Sequence, residues 1–244
     1  MSELAFGIHA VEALLDSAPE TIELLSVLEG RNDHKVAQLL RRAQKKDIRV
    51  RYLSKQRLNE MAKEGNHQGV IATYRAKQAQ GENHLFDMLD RLQEPPFLLI
   101  LDGVTDPHNL GACIRTADAA GVHGVITTKD KAVGLNATVR KVACGAAEHV
   151  PFFIVTNLKR LISDLQQRGV WIVGTAGEAE TCVFDADLRG PIAVVMGAEG
   201  KGLRRLTREA CDLLVKLPMA DGAVSSLNVS VATGVTLFEA VRQR

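Results

Sequence analysis

Aromatic residues are scarce in this chain: one Trp, two Tyr and seven Phe make up 4% of 244 residues. That is too few for a protein that holds single strands by stacking base after base on an aromatic platform. There is no charge excess either. Thirty Lys and Arg stand against 29 Asp and Glu, a net charge of +1, so bulk charge neither demands nor excludes a polyanionic partner. Cysteine is limited to Cys113, Cys144, Cys182 and Cys211, with no CxxC pair. Each sits among apolar or small residues, which suits buried thiols in a reducing compartment. No run approaches the ~18 apolar residues of a membrane span. The opening "MSELAFGIHA" lacks a basic stretch followed by an apolar one, so a cytoplasmic protein is expected. The seven histidines are scattered without an HxxxH or Cys–His cluster, and no metal is expected. GxGxxG, GxxxxGK[ST] and GxSxG are missing too, which speaks against a dinucleotide fold, an ATP phosphate loop and a hydrolase nucleophile elbow.

What is present is an ordinary globular composition, 46% apolar and 24% charged, long enough for one large or two modest domains. The first third reads as a small α/β unit. Helical patterns occur at 7–15 and 34–46, and strand-like ones at 21–29, 48–54 and 67–74. The polar stretch "RAKQAQGENH" (75–84) follows. The expected division is a front domain at 1–75, a linker at 76–90 and a back domain at 91–244. Eight basic residues and one acid, Asp47, lie between Arg41 and Arg57. Arg41, Arg42, Lys45, Lys46, Arg49 and Arg51 are candidate RNA-phosphate contacts, although a solvated helix face would read the same way.

The remainder alternates. Continuous apolar stretches at 97–101, 122–126, 150–155, 170–173, 192–196 and 213–217 are separated mainly by helical patterns. Such runs predict a largely parallel sheet covered on both faces. Ligands of such sheets sit beyond the carboxyl ends of the strands, and three strand ends carry unusual chemistry.

The first is "VTDPHNLGACIRTADAAG" (104–121). Pro107 fixes φ, and Asn109 is the expected cap of a helix beginning at Leu110. At about 100° per residue, Arg115 falls about 140° from Leu110, away from the face that packs on the sheet. His108 is a tempting general base by chemistry, although its spacing gives no sign that it faces a pocket. The second is "VVMGAEGKGLRRL" (194–206), where Glu199 stands between Gly197, Gly200 and Gly202. A carboxylate there repels a pyrophosphate and suits a cationic ligand. The third is "KLPMADGAVSSLNVSVATGVTLFEAV" (216–241), with Ser225, Ser226 and Asn228 clustered before a helix. Gly234 within that helix costs roughly 1 kcal/mol relative to Ala, which close packing against another element, such as the same helix of a second copy, would offset.

These three segments resemble the three signature motifs of the SpoU family of RNA ribose 2'-O-methyltransferases, part of the SPOUT superfamily. "NLGACIRTA" matches the first, with Asn109 and Arg115; "VMGAEGKGL" matches the second, with Glu199; and the third segment carries Ser226 and Asn228. The resemblance covers about 150 residues of the back domain, and the front domain resembles the ribosomal-protein-like RNA-binding domain of some members. It implies an α/β fold whose carboxyl-terminal part is threaded into a deep trefoil knot, which ordinary chain topology argues against. It also implies S-adenosylmethionine as cofactor, against Gly197, Leu217, Leu227 and Met219, with Thr175 and Gly177 of "GTAGE" as a further wall. Arg115, Asn109, Glu199, Ser226 and Asn228 are the implied catalytic residues, acting in a homodimer. The full-length resemblance is to members that methylate a guanosine of 23S rRNA, free or in the assembling large subunit. A tRNA ribose methyltransferase of the same family and a non-catalytic RNA-binding protein are the alternatives.

Overall fold

In the first seventy-odd residues apolar side chains recur at helical and strand spacing by turns. The computed structural model, which describes residues 2–63, 65–220, 222 and 226–244, folds them as β1 (Ser2–Phe6), α1 (Ile8–Ser17), β2 (Ile22–Leu28), α2 (His34–Lys45), β3 (Val50–Leu53), α3 (Lys55–Ala62) and β4 (Val70–Arg75). The sheet order is β1-β4-β2-β3, with β2 and β3 parallel and the other pairs antiparallel. Val11, Leu14 and Leu15 of α1 and Val36, Leu39 and Ala43 of α2 repeat at three- and four-residue spacing. They cover one face of the sheet, against Leu25, Val27, Val70 and Ala72. Leu58 and Ala62 of α3 cover Ile71 on the other face. Asp33 and Ser54 cap α2 and α3 by accepting from Val36 N and Arg57 N. Sequence patterning has no counterpart for β1 or α3. β1 is only partly buried, and α3 is too short for a helical period to stand out, so its cap and its packing under the sheet decide it.

The longer part runs α4 (Glu82–Arg91), β5 (Phe97–Asp102), α5 (Pro107–Ala119), β6 (Gly124–Thr128), α6 (Ala137–Ala143), α7 (Ala146–His149), β7 (Phe152–Val155), α8 (Leu158–Gln167), β8 (Trp171–Thr175), β9 (Thr181–Cys182), β10 (Ile192–Gly197), α9 (Arg205–Ala210), β11 (Leu213–Lys216) and α10 (Val229–Gln243). Its seven strands are all parallel, in the order β7-β6-β5-β10-β8-β11-β9. Every residue of β5 is buried, as a strand covered on both faces requires. Leu161, Ile162 and Leu165 of α8 pack on Leu98, Ile100, Ile126 and Phe153. Helix α10 packs on α5, with Thr233 beside Cys113. A Cβ at Gly234 would meet Thr116 of α5 at 3.7 Å, ordinary contact distance, so no close approach among the described residues requires this glycine.

The chain separates into two units, Met1–Lys77 with Arg140–His149, and Gln78–Val139 with Val150–Arg244. The segment 140–149 thus lies in sequence between β6 and β7 but belongs by its contacts to the first unit. Burial explains it. Glu148, 2% exposed, accepts from Tyr74 Oη at 3.3 Å and from Lys77 N at 2.7 Å. Arg140 pairs with Glu148 and donates to Lys77 O at 2.6 Å. Polar groups this buried persist when they find partners, and these partner one another, with Arg140 Nε alone of the cluster's side-chain atoms left without a hydrogen bond.

Candidate active site at the strand carboxyl ends

β5 ends in Asp102 and β10 in Gly197, and these residues are register partners. The sheet continues to β6 on one side and to β8 on the other, so the two chain exits meet at the switch point where open α/β sheets hold ligands. After β5, the Asp106 carboxylate accepts from His108 N at 3.1 Å and Asn109 N at 3.3 Å, and Pro107 takes the first helical position of α5. These backbone N–H groups hold the Asp106 pKa below the usual carboxylate range. Asn109 is therefore not the cap, and α5 begins before Leu110. With Asp106 already in that role, the Asn109 amide turns inward and is 8% exposed.

There the three strand-end segments meet. Asn109 Nδ2 donates to Glu199 Oε2 at 3.1 Å, Asn228 Nδ2 donates to Glu199 Oε1 at 3.1 Å, and Asn228 Nδ2 also donates to Asn109 Oδ1 at 2.9 Å. An ionised carboxylate only accepts, so it dictates that both amides present their NH2 groups to it. Asn228 is itself fixed, because its Oδ1 caps α10 by accepting from Ser230 N at 2.9 Å. Residues 90 and 119 positions away from Asn109 thus form one closed triangle with it.

Glu199 owes its place to a tight turn. Ala198 and Gly202 exchange both backbone hydrogen bonds, at 3.1 and 2.9 Å. Gly200 and Gly202 have φ of +73° and +64°, the left-handed region that glycine enters without strain. A Cβ on Gly197 would collide with the backbone of Gly202 and Leu203. On one side of this turn lies a cavity of about 330 Å³. Thr175, Gly177, Gly197, Leu217, Met219 and Leu227 all line it, as does Ser226.

That lining fits S-adenosylmethionine. Met219 and Leu227 are 39% and 38% exposed, apolar surface available to the face of a purine. Glu199 supplies negative charge to a sulfonium, and Lys201 and Lys216 supply positive charge to a carboxylate. The volume falls within the range of small-molecule sites.

Arg115 is exposed on α5 and lines neither this cavity nor a second one, of about 540 Å³, across the turn. The His108 side chain is 71% exposed and 3.4 Å from Asp106. Ser225 lies outside the described residues. In the first unit Arg41, Lys45, Lys46, Arg49 and Arg51 are exposed or partly so, and Arg42 pairs with Asp16. Tyr52, which sequence reasoning passes over, is 53% exposed beside Arg51. The signal for it was an aromatic inside the basic run.

Comparison with known proteins follows the same division. The model of the SpoU rRNA methylase family matches residues 96–238, and one for RNA 2'-O ribose methyltransferase substrate binding matches residues 4–80. The 23S rRNA (guanosine-2'-O-)-methyltransferase RlmB of Shewanella oneidensis is 58% identical over 242 residues, 99% of this chain and 98% of that protein. RlmB of Escherichia coli K12 is 54% identical over the whole of both chains. An AdoMet-bound rRNA methyltransferase from Sinorhizobium meliloti, 26% identical, superposes with a TM-score of 0.74 over 99% of this chain and 87% of that one.

Proposed function

The chain belongs to the SpoU rRNA methylase family, and from that premise we propose that it methylates the ribose 2'-hydroxyl of a guanosine in 23S rRNA, using S-adenosylmethionine. The observation that carries this reading is the Asn109–Glu199–Asn228 triangle, which brings the three family segments together at the wall of the cofactor-sized cavity. Leu217, Met219, Leu227 and the glycine turn would hold the cofactor, which when bound supplies an electrophilic methyl group on a cationic sulfonium.

The residues of the chain supply orientation and electrostatics. Glu199 locks the two amides, leaving them preset to meet the acceptor ribose. Ser226, on the cavity wall, helps to position it. Arg115 stabilises the alkoxide that develops as the 2'-hydroxyl loses its proton; a guanidinium pKa above 12 makes it a poor base and a good electrostatic partner.

Because Arg115 lines neither of the two cavities at this turn, it serves the site of a second copy. The outward side of α10 supports a homodimer. Val231, Phe238 and Val241 are 51%, 48% and 39% exposed and, with Gly234, fall within an arc of about 80°. The strand order also supports the trefoil knot: β11 lies beyond β8, and the chain then returns to lay α10 on α5. Substrate RNA, free or within the assembling large subunit, supports a cytoplasmic enzyme, with Arg41, Lys45, Lys46, Arg49 and Arg51 available to phosphates.

Two measurements test this. Mapping 2'-O-methylguanosine in 23S rRNA and in tRNA, from cells with and without the gene, is expected to show loss at one rRNA position. Loss in tRNA alone would favour the tRNA reading. Arg115→Ala should lower kcat by about a hundredfold or more with cofactor affinity within about twofold; unchanged turnover removes Arg115 from the mechanism.

A further inference from the structure

On the far side of the Ala198–Gly202 turn lies a second, larger cavity of about 540 Å³. It shares Ala198, Glu199, Lys201, Gly202 and Val229 with the first, and Asn109 opens onto it alone. The chemistry of the two differs. Lys131, Lys201, Arg204 and Arg205 converge on the second cavity, and among the described residues its lining has no aromatic side chain.

Those four cations face three carboxylates on the same lining, Asp102, Asp106 and Glu199, which leaves a net charge of +1. Asp106 is occupied by the first turn of α5 and Glu199 by two amides. Asp102, fully buried, holds Arg204: its Oδ2 accepts from Arg204 N at 3.0 Å, and its Oδ1 lies 3.3 Å from Arg204 Nε without completing a hydrogen bond. The guanidinium also donates to Asp130 O at 3.3 Å and Thr128 Oγ1 at 3.5 Å, and remains 42% exposed. Arg205 pairs with the exposed Glu209, one helical turn on. Among the described residues Lys131 and Lys201 have no acidic partner. Lys131 is held at φ +57°, a conformation residues with side chains rarely adopt, and Val133 N ties its loop to Val104 O at 3.0 Å. The cationic rim is therefore built into the fold.

A cavity with fixed cations and no aromatic wall recognises a sugar-phosphate and offers little to a base. From this, and on the premise of the proposed ribose methylation, we infer that the second cavity seats the phosphodiester flanking the acceptor ribose, gripped by Lys131, Arg204 and Arg205. The ribose itself then lies at the Glu199 wall, with the methyl donor on the opposite side. Selection of guanine falls to groups outside this cavity.

The test uses the full chain and an rRNA transcript containing the modified nucleotide. Lys131→Ala and Arg205→Ala, both surface changes, should each raise KM for RNA about tenfold. The slope of log(kcat/KM) against log salt should fall in magnitude by about 0.7–0.9 for each phosphate that is no longer neutralised, with cofactor affinity by calorimetry unchanged. If both variants keep the KM and salt slope of the unaltered enzyme, or lose cofactor binding in parallel, the assignment is wrong although the enzyme still methylates RNA. If the unaltered enzyme transfers no methyl group to any RNA, the functional premise fails first and the assignment with it.

Discussion

At the scale of single residues, His67 shows how burial sets a charge state. It is 8% exposed; its Nδ1 accepts from Gly69 N at 2.9 Å, and its Nε2 lies 2.8 Å from Asn59 Oδ1. The ring is thus neutral with its proton on Nε2. Burial, followed by the charges of Lys55 and Arg31, holds its pKa below the ordinary 6.5. Above that value folded and unfolded chains are both neutral here and the group has no effect. As pH falls below it the unfolded chain takes up a proton first, so stability is lost down through the folded pKa. Denaturant midpoints at about pH 7.5 and about pH 5 should therefore differ more for the unaltered protein than for His67→Gln, which can reproduce both hydrogen bonds. Equal falls would dismiss this histidine as the cause. The proposed site residues were more legible than this one. Asn109, Glu199 and Asn228 stand out in sequence because polar groups at strand ends have no packing role to explain them. Asp102 was harder to find, since one carboxylate closing an apolar strand reads as a turn former until its partner, a hundred residues away, is known.

At the scale of elements, the continuous apolar runs announced parallel strands because burial on both faces leaves no alternation. Their order was not legible. Nothing local in "PIAVVMG" says that this strand lies between β5 and β8, because neighbour choice is a property of the assembled sheet. The start of α5 was misjudged for a nearer reason: Asp106 and Asn109 are both good caps, and only Asn109 has a second task. The short helix α7 depends on its buried carboxylate. Glu148→Gln leaves Arg140, 8% exposed, without its counter-charge, and one unpaired buried charge costs about 3–5 kcal/mol. Denaturant unfolding of this variant should lower the stability of the first unit by that order. A loss below about 1 kcal/mol would mean that solvent reaches the pair.

At the scale of the whole molecule, the proposed sharing of Arg115 between copies has a numerical consequence. Arg115→Ala retains a cofactor cavity, and Leu227→Arg, which puts a cation on that cavity's wall, retains Arg115. Each homodimer is inactive, whereas a mixed dimer contains one complete site. Random exchange of equal amounts should restore about a quarter of normal activity. Complementation failing in verified heterodimers would place Arg115 and the cofactor in the same protomer. No part of this was legible from apolar periodicity, which records what each helix buries at home and is silent on what covers Val231 and Phe238.

The detour through Arg140–His149 also has a meaning in time. A chain leaving the ribosome has completed β4 at residue 75, yet the partners of Tyr74 and Lys77 are still more than sixty residues from being made. At ordinary elongation rates that delay is several seconds. The nascent front domain must wait, with its last strand unsealed, until β5 and β6 of the sheet that follows it have been made.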